Sequence, residues 1–116
     1  MGDRHNPTDA PSILRGTLDT VILRALRFGP MHGFEITTWL EQRSDGALAV
    51  EDGALYHALV RLEKRELIEA EWGVTENNRR ARYYRLTASG RQELKAQSGA
   101  LLRYAGALTR ILADNG

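Results

Sequence analysis

Apolar positions recur along this chain with a helical period through three stretches, then alternate, then fall on a heptad. Leu14, Leu18, Val21, Ile22, Ala25 and Leu26 share one stripe, which predicts a first helix over Thr17–Phe28 that Gly29-Pro30 stops. Ile36, Trp39 and Leu40 share a face of a second helix expected over Gly33–Arg43, and Ser44-Asp45-Gly46 is a turn signal. Phe34 falls off that stripe, and periodicity gives no account of it. In a third helix, over Asp52–Arg65, Leu55, Ala58, Leu59 and Leu62 follow the i, i+3, i+4, i+7 rule and are expected to face a core. The opposite face carries Gly53, His57, Val60, Arg61 and Lys64, with Tyr56 on the flank.

The period then changes. In Leu67–Trp72, Ile68, Ala70 and Trp72 alternate with Glu69 and Glu71; in Ala81–Leu86, Tyr84 and Leu86 are the inward pair. The polar, turn-prone stretch Gly73–Arg80 joins the two as a hairpin. Thr87 suits an N-cap for a last helix running from Ala88 towards Ala113. Along it Leu94, Ser98, Leu101, Ala105, Leu108 and Leu112 keep heptad spacing, and Leu102 and Ile111 widen the seam. Gly99 and Gly106 weaken intrinsic helicity by up to ~1 kcal/mol each, or allow close approach of another helix.

Three helices, a two-stranded hairpin and a final helix make the fold class mainly α with a β-hairpin, in the order of a winged helix-turn-helix. The division expected is a flexible N-terminal arm at 1–12, a winged helix-turn-helix domain at 13–87 and a dimerisation helix at 88–116. An ordinary small α+β domain would show the same order, so the chemistry of the faces has to separate the two.

Composition narrows the field. The chain has 116 residues, 42% of them apolar, which suffices for one small domain with a packed core and an appended helix. It has no cysteine, so disulfides and thiolate chemistry are excluded. No apolar run is long enough for a bilayer, and Met1–Pro11 is too polar for a signal peptide; the expectation is a soluble, cytoplasmic protein with no membrane partner. The net charge of +1 says little, but Arg79, Arg80, Arg82 and Arg85 fall within one stretch that holds no acid.

A helix enters the major groove only if its outer face is polar and not acidic. His57, Arg61 and Lys64 meet that condition, and the small Gly53 and Ala54 allow the helix start to come close. Arg79 and Arg80, at the distal end of the hairpin, suit phosphate or the minor groove. Solvated faces and a charge-protected sheet edge are the plainer readings of both features. Tyr83 and Tyr84 read as packing residues. The heptad seam, with Leu94, Leu101, Ala105, Leu108 and Leu112, either folds back on its own domain or pairs with a second copy, and its length favours the pair. There is no Gly-rich phosphate loop and no nucleophile elbow, and His5, His32 and His57 are far apart, so no catalysis, metal or cofactor is expected. His32 reads as a capping or packing residue.

At these residues the chain resembles the PadR family of transcriptional regulators. The resemblance rests on Leu18–Phe28, on the run from Gly29 to Ile36, on Val50–Leu59, on Arg61-Leu62-Glu63 and Leu67-Ile68, on the wing Asn78–Thr87 and on Gly90. It implies a winged-helix repressor, short form, with a single C-terminal dimerisation helix. The third helix would read a double-stranded operator, with Tyr56 and its neighbours at the DNA surface, and Arg79 and Arg80 would contact DNA from the wing. Phe34, Ala54 and His57 depart from the residues common in the family. Some members bind a small-molecule effector near the dimer interface with a tryptophan of the last helix; here that helix has only Tyr104, so an effector is left open. The rival function is a protein-interaction module that uses the C-terminal helix without binding DNA. The arginines of Arg79–Arg85 argue against it.

Overall fold

The computed structural model describes residues 12–113, with side chains from Arg15 onward. Its elements are α1 (Ser12–Ala25), β1 (Met31–His32), α2 (Gly33–Arg43), α3 (Asp52–Lys64), β2 (Ile68–Val74), β3 (Arg80–Leu86) and α4 (Ala88–Leu112). This is the mainly α fold with a hairpin that the pattern predicts, with one strand added. Met31 pairs with Tyr84 and His32 with Tyr83, giving an antiparallel sheet in the order β1-β3-β2. A strand of two residues has no readable period. The expected arm at 1–12 lies outside the described residues apart from Ser12, which already belongs to α1, and Leu14 precedes the described side chains.

Helix α1 begins earlier than Thr17 and stops at Ala25. Past that point the chain tightens: the Leu26 N–H is shared between the Ile22 and Leu23 carbonyls, both at 3.2 Å, and the Arg27 N–H donates to Arg24 O at 3.1 Å. Helix α2 opens with a capping box. The Glu35 N–H donates to His32 Nδ1 at 3.3 Å, and the His32 N–H donates to Glu35 Oε1 at 3.0 Å. His32 is therefore a cap, as expected. Helix α3 ends in a Schellman motif: the Leu67 N–H reaches Leu62 O at 3.0 Å and the Glu66 N–H reaches Glu63 O at 2.9 Å.

The core forms where the helical stripes meet the inner face of the sheet. Ile22, Leu23, Leu26, Ile36, Leu62 and Ile68 are fully buried, and Leu55, Ala58, Leu59, Tyr84 and Leu86 pack with them. The start of α4 is pinned against the start of β2. Thr87 Oγ1 accepts from the Gly90 N–H at 3.0 Å and donates to Glu66 O at 2.7 Å, while the Thr87 N–H donates to Leu67 O at 3.1 Å. A Cβ on Gly90 would sit on the Leu67 carbonyl oxygen, so only glycine fits this crossing. From there α4 runs about 37 Å at 1.5 Å per residue, its first half lying along α1.

Candidate nucleic-acid interface

Burial of Leu55, Ala58, Leu59 and Leu62 turns the other side of α3 outward, so Gly53, Ala54, Tyr56, His57 and Lys64 are all exposed. Tyr56 and His57 meet edge to face, ring centroids 5.7 Å apart. The N-cap Glu51 makes no side-chain cap, so the first-turn N–H groups of α3 keep no side-chain acceptor from that residue.

Arg61 is tied to a neighbouring helix. Its Nη2–H donates to Asp19 Oδ1 at 2.7 Å and its Nε–H to Asp19 Oδ2 at 3.3 Å, a two-pronged tie from α3 to α1. The position lies on the flank of the helix, between the buried stripe and the outward centre, and the long stem reaches back to the neighbouring helix. The ion pair gives Arg61 a structural role between α3 and α1 beside the DNA-facing one expected of it.

The wing also differs from its linear reading. Strand pairing sets Glu69 opposite Arg85, and the Arg85 Nε–H donates to Glu69 Oε2 at 2.9 Å with Glu71 Oε1 3.6 Å from Nη1. Arg82 Nη2 donates to Glu63 Oε2 of α3 at 3.1 Å. A stretch without acids in the chain is therefore half neutralised in space. Among the described residues Arg79 and Arg80 have no carboxylate partner, and they are exposed. The loop that presents them is closed by the Thr75 N–H on Arg79 O at 2.8 Å and the Asn78 N–H on Thr75 O at 2.9 Å, with Asn78 at φ 63°.

Between the starts of α2 and α3 and this wing lies a cleft of about 820 Å³. Phe34, Tyr56, Trp72, Arg79, Arg80 and Tyr83 line it, so the structure brings Tyr56 together with the two wing arginines. Gly53, Ala54, His57 and Lys64 stand outside the cleft on the exposed face of α3. Three aromatics in the cleft are mostly solvent-exposed: Phe34 at 75%, Tyr56 at 63% and Trp72 at 58%. Phe34 and Trp72 escaped the sequence reading as site residues. The available signal was that Phe34 fits no apolar stripe. Trp72 shares a strand face with Ile68 and Ala70, but that face runs out past the core. Tyr84 is buried, and Tyr83 packs edge-on against His32 at 5.3 Å, so both tyrosines are packing residues as expected. Burial raises the Tyr84 phenol above its ordinary range, partly opposed by Arg82.

The seam of α4 divides. Leu94 is only 9% exposed and belongs to the chain's own core, which removes it from the expected pairing surface. Leu101 is partly covered beside α1, whereas Ala105, Leu108 and Leu112 are exposed, Leu112 at 76%, together with Leu102 and Ile111. The heptad spacing is continuous, but among the described residues α1 covers only the first half of it.

Among the described residues there is no group of acids and histidines fit to hold a metal, and no helix is long and apolar enough to cross a membrane. Comparison with known proteins gives a consistent picture. The model of the transcriptional regulator PadR-like family matches residues 22–96. The uncharacterized protein X of Lysinibacillus sphaericus is 35% identical over 82 residues, which is 71% of this chain and 75% of that protein. A transcriptional regulator from Clostridium thermocellum is similar in structure, with TM-score 0.76 and 28% identity over 88% of this chain and 99% of its own. Bacillus subtilis PadR, solved in complex with operator DNA, aligns with TM-score 0.62 and 26% identity over 69% of this chain and 46% of its own.

Proposed function

The chain belongs to the PadR-like family of transcriptional regulators, which are not enzymes, and on that premise we propose that it binds operator DNA as a homodimer in the cytoplasm and represses by occupying the site. One observation carries the reading: Tyr56, on the edge of the exposed face of α3, and Arg79 and Arg80, which have no carboxylate partner among the described residues, line one cleft, with the rest of that face exposed beside it. In duplex DNA a ridge of phosphates separates the major groove from the minor. A protein that straddles it needs a helix with a neutral or basic face on one side and cations on the other. Here α3 offers Gly53 and Ala54 for close approach, Tyr56, His57 and Lys64 for contact, and the wing supplies the two arginines. Phosphate contacts then position the protein, and base-edge contacts specify the sequence. Bacillus subtilis PadR, solved in complex with operator DNA, supports DNA as the partner.

The second half of α4, where Ala105, Leu108 and Leu112 are exposed among the described residues, supports pairing with a second copy. Two copies would place two α3 helices on successive turns of the duplex. We place relief by a small molecule, within the same proposal, in the recess of about 320 Å³ between α1 and α4 lined by Gly16, Thr20, Leu101 and Tyr104. That volume is at the lower end of ligand pockets.

The test is selection of bound duplexes from a random-sequence pool, followed by gel shift of the winner at several salt concentrations. The expected outcome is a two-fold symmetric sequence whose affinity falls steeply with salt. An interaction module without DNA binding would enrich nothing, and that result would end the proposal.

A further inference from the structure

On β2 and β3 the pairs Ile68–Leu86, Ala70–Tyr84, Trp72–Arg82 and Val74–Arg80 lie on one face of the sheet. The first two pairs belong to the core or pack against it. Beyond them the face leaves the protein interior, yet it still carries an indole, and that indole is 58% exposed. Packing gives no reason for a tryptophan there.

The neighbouring cations do. The Arg80 guanidinium carbon stands 4.5 Å from the centre of the Trp72 ring, and that of Arg82 stands 5.9 Å away. Arg82 is already held by Glu63 and lies 5.8 Å from the Tyr84 ring. Arg80 has no carboxylate among the described residues, so the Trp72 face is what fixes it. Stacking occupies the flat face of a guanidinium and leaves its edge N–H groups free for an acceptor.

We propose that Trp72 is a positioning residue for the wing: it stacks Arg80 and presents its guanidinium edge across the cleft to a DNA phosphate. The inference rests on the DNA-binding reading above and deepens it. A freely rotating arginine at a loop edge would lose its side-chain freedom on each encounter with DNA. One held on an indole has already lost much of it.

The experiment uses the full chain and a mixed-sequence duplex of about three helical turns as probe, at low salt. Affinity and salt slope are measured for the unaltered protein, Arg80→Ala, Trp72→Leu, Trp72→Phe and the double variant Trp72→Leu with Arg80→Ala. Trp72→Leu is expected to weaken binding by about two- to fivefold, the range of an exposed cation–π contact. Trp72→Phe, which keeps a π face, should recover most of that loss. The double variant should bind no more weakly than Arg80→Ala alone, because the indole acts only through the arginine. Thermal unfolding of each variant separates this from loss of fold. If Trp72→Leu melts early, Trp72→Thr, which suits an exposed strand position, takes its place. A Trp72→Leu or Trp72→Thr variant that binds as tightly as the unaltered protein, an Arg80→Ala without effect, or losses that simply add would each overturn the positioning role while leaving DNA binding in place. An unaltered protein with no affinity for the duplex would overturn the DNA-binding reading and this inference with it.

Discussion

At Glu66 the backbone enters the left-handed region, with φ 60°, to let the chain turn from α3 into β2. A residue with a Cβ pays about 1–2 kcal/mol there. Glu66→Gly relieves that strain and gives back part of it as unfolded-chain entropy, so a net gain of about 0.5–1 kcal/mol is expected by urea unfolding. The main-chain carbonyl that accepts from Thr87 is retained in the variant. Gly90 gives the opposite result. Helix propensity alone would favour alanine by about 1 kcal/mol, but the obstacle is the Leu67 backbone carbonyl, which has little room to move. Gly90→Ala should destabilise by about 1–3 kcal/mol, as overpacking does, and should free α4 at its root; the same unfolding measurement decides the sign. Tyr84 provides a pH signature. Burial raises its pKa in the folded state, so the folded protein holds the phenol proton more tightly than the unfolded chain. The corresponding stability is complete below pH ~10 and is lost as pH rises through the folded-state value. Tyr84→Phe should flatten the alkaline fall of a stability profile measured from pH 8 to 11. Asp45-Gly46 and Asn78 were legible as turn residues because glycine lacks a Cβ and the short Asp and Asn side chains tolerate positive φ. Glu66 was not legible, because nothing in a glutamate announces that conformation.

The helices were legible because burial imposes a period that sequence preserves. Leu55, Ala58, Leu59 and Leu62 point inward as spaced, and the opposite face is exposed as a consequence. What could not be read were pairings set by elements far apart in the chain. Arg61 meets Asp19 across two helices, Arg82 meets Glu63 across the hairpin and α3, and Leu94 is covered by the chain's own core. The tie between Arg61 and Asp19 leads to a paired prediction for α3. Arg61→Ala should cost about 1–3 kcal/mol of stability, since it leaves a partly buried Asp19 without its two donors, and should leave the preferred DNA sequence unchanged. His57→Ala should do the reverse, keeping stability and relaxing discrimination at one base pair by about 1–3 kcal/mol. Unfolding curves and random-duplex selection on both variants check the pair; the same sequence preference for His57→Ala and the unaltered protein would remove His57 from the reading face.

On the scale of the whole molecule, a heptad predicted one continuous seam, and α1 divides it into a covered half and an open half. The period records that a face is apolar but not which neighbour reaches it. If a second copy covers the open half, Leu108 and Leu112 each bury side-chain area worth about 1.5–3 kcal/mol, and a two-fold dimer loses it twice per substitution. Leu108→Glu with Leu112→Glu should therefore give a monomer by light scattering, with helix content retained and DNA affinity reduced because only one winged domain binds at a time. A double variant that stays dimeric would place the pairing surface elsewhere. The central claim, that α3 and the wing grip duplex DNA across the cleft, is tested most directly by the slope of log affinity against log salt for the unaltered protein and for Arg79→Ala with Arg80→Ala. Each lost phosphate contact lowers the slope by about 0.9, so the account predicts a fall of about 1.8 with weaker binding to every sequence. An unchanged slope and affinity in the double variant would contradict it.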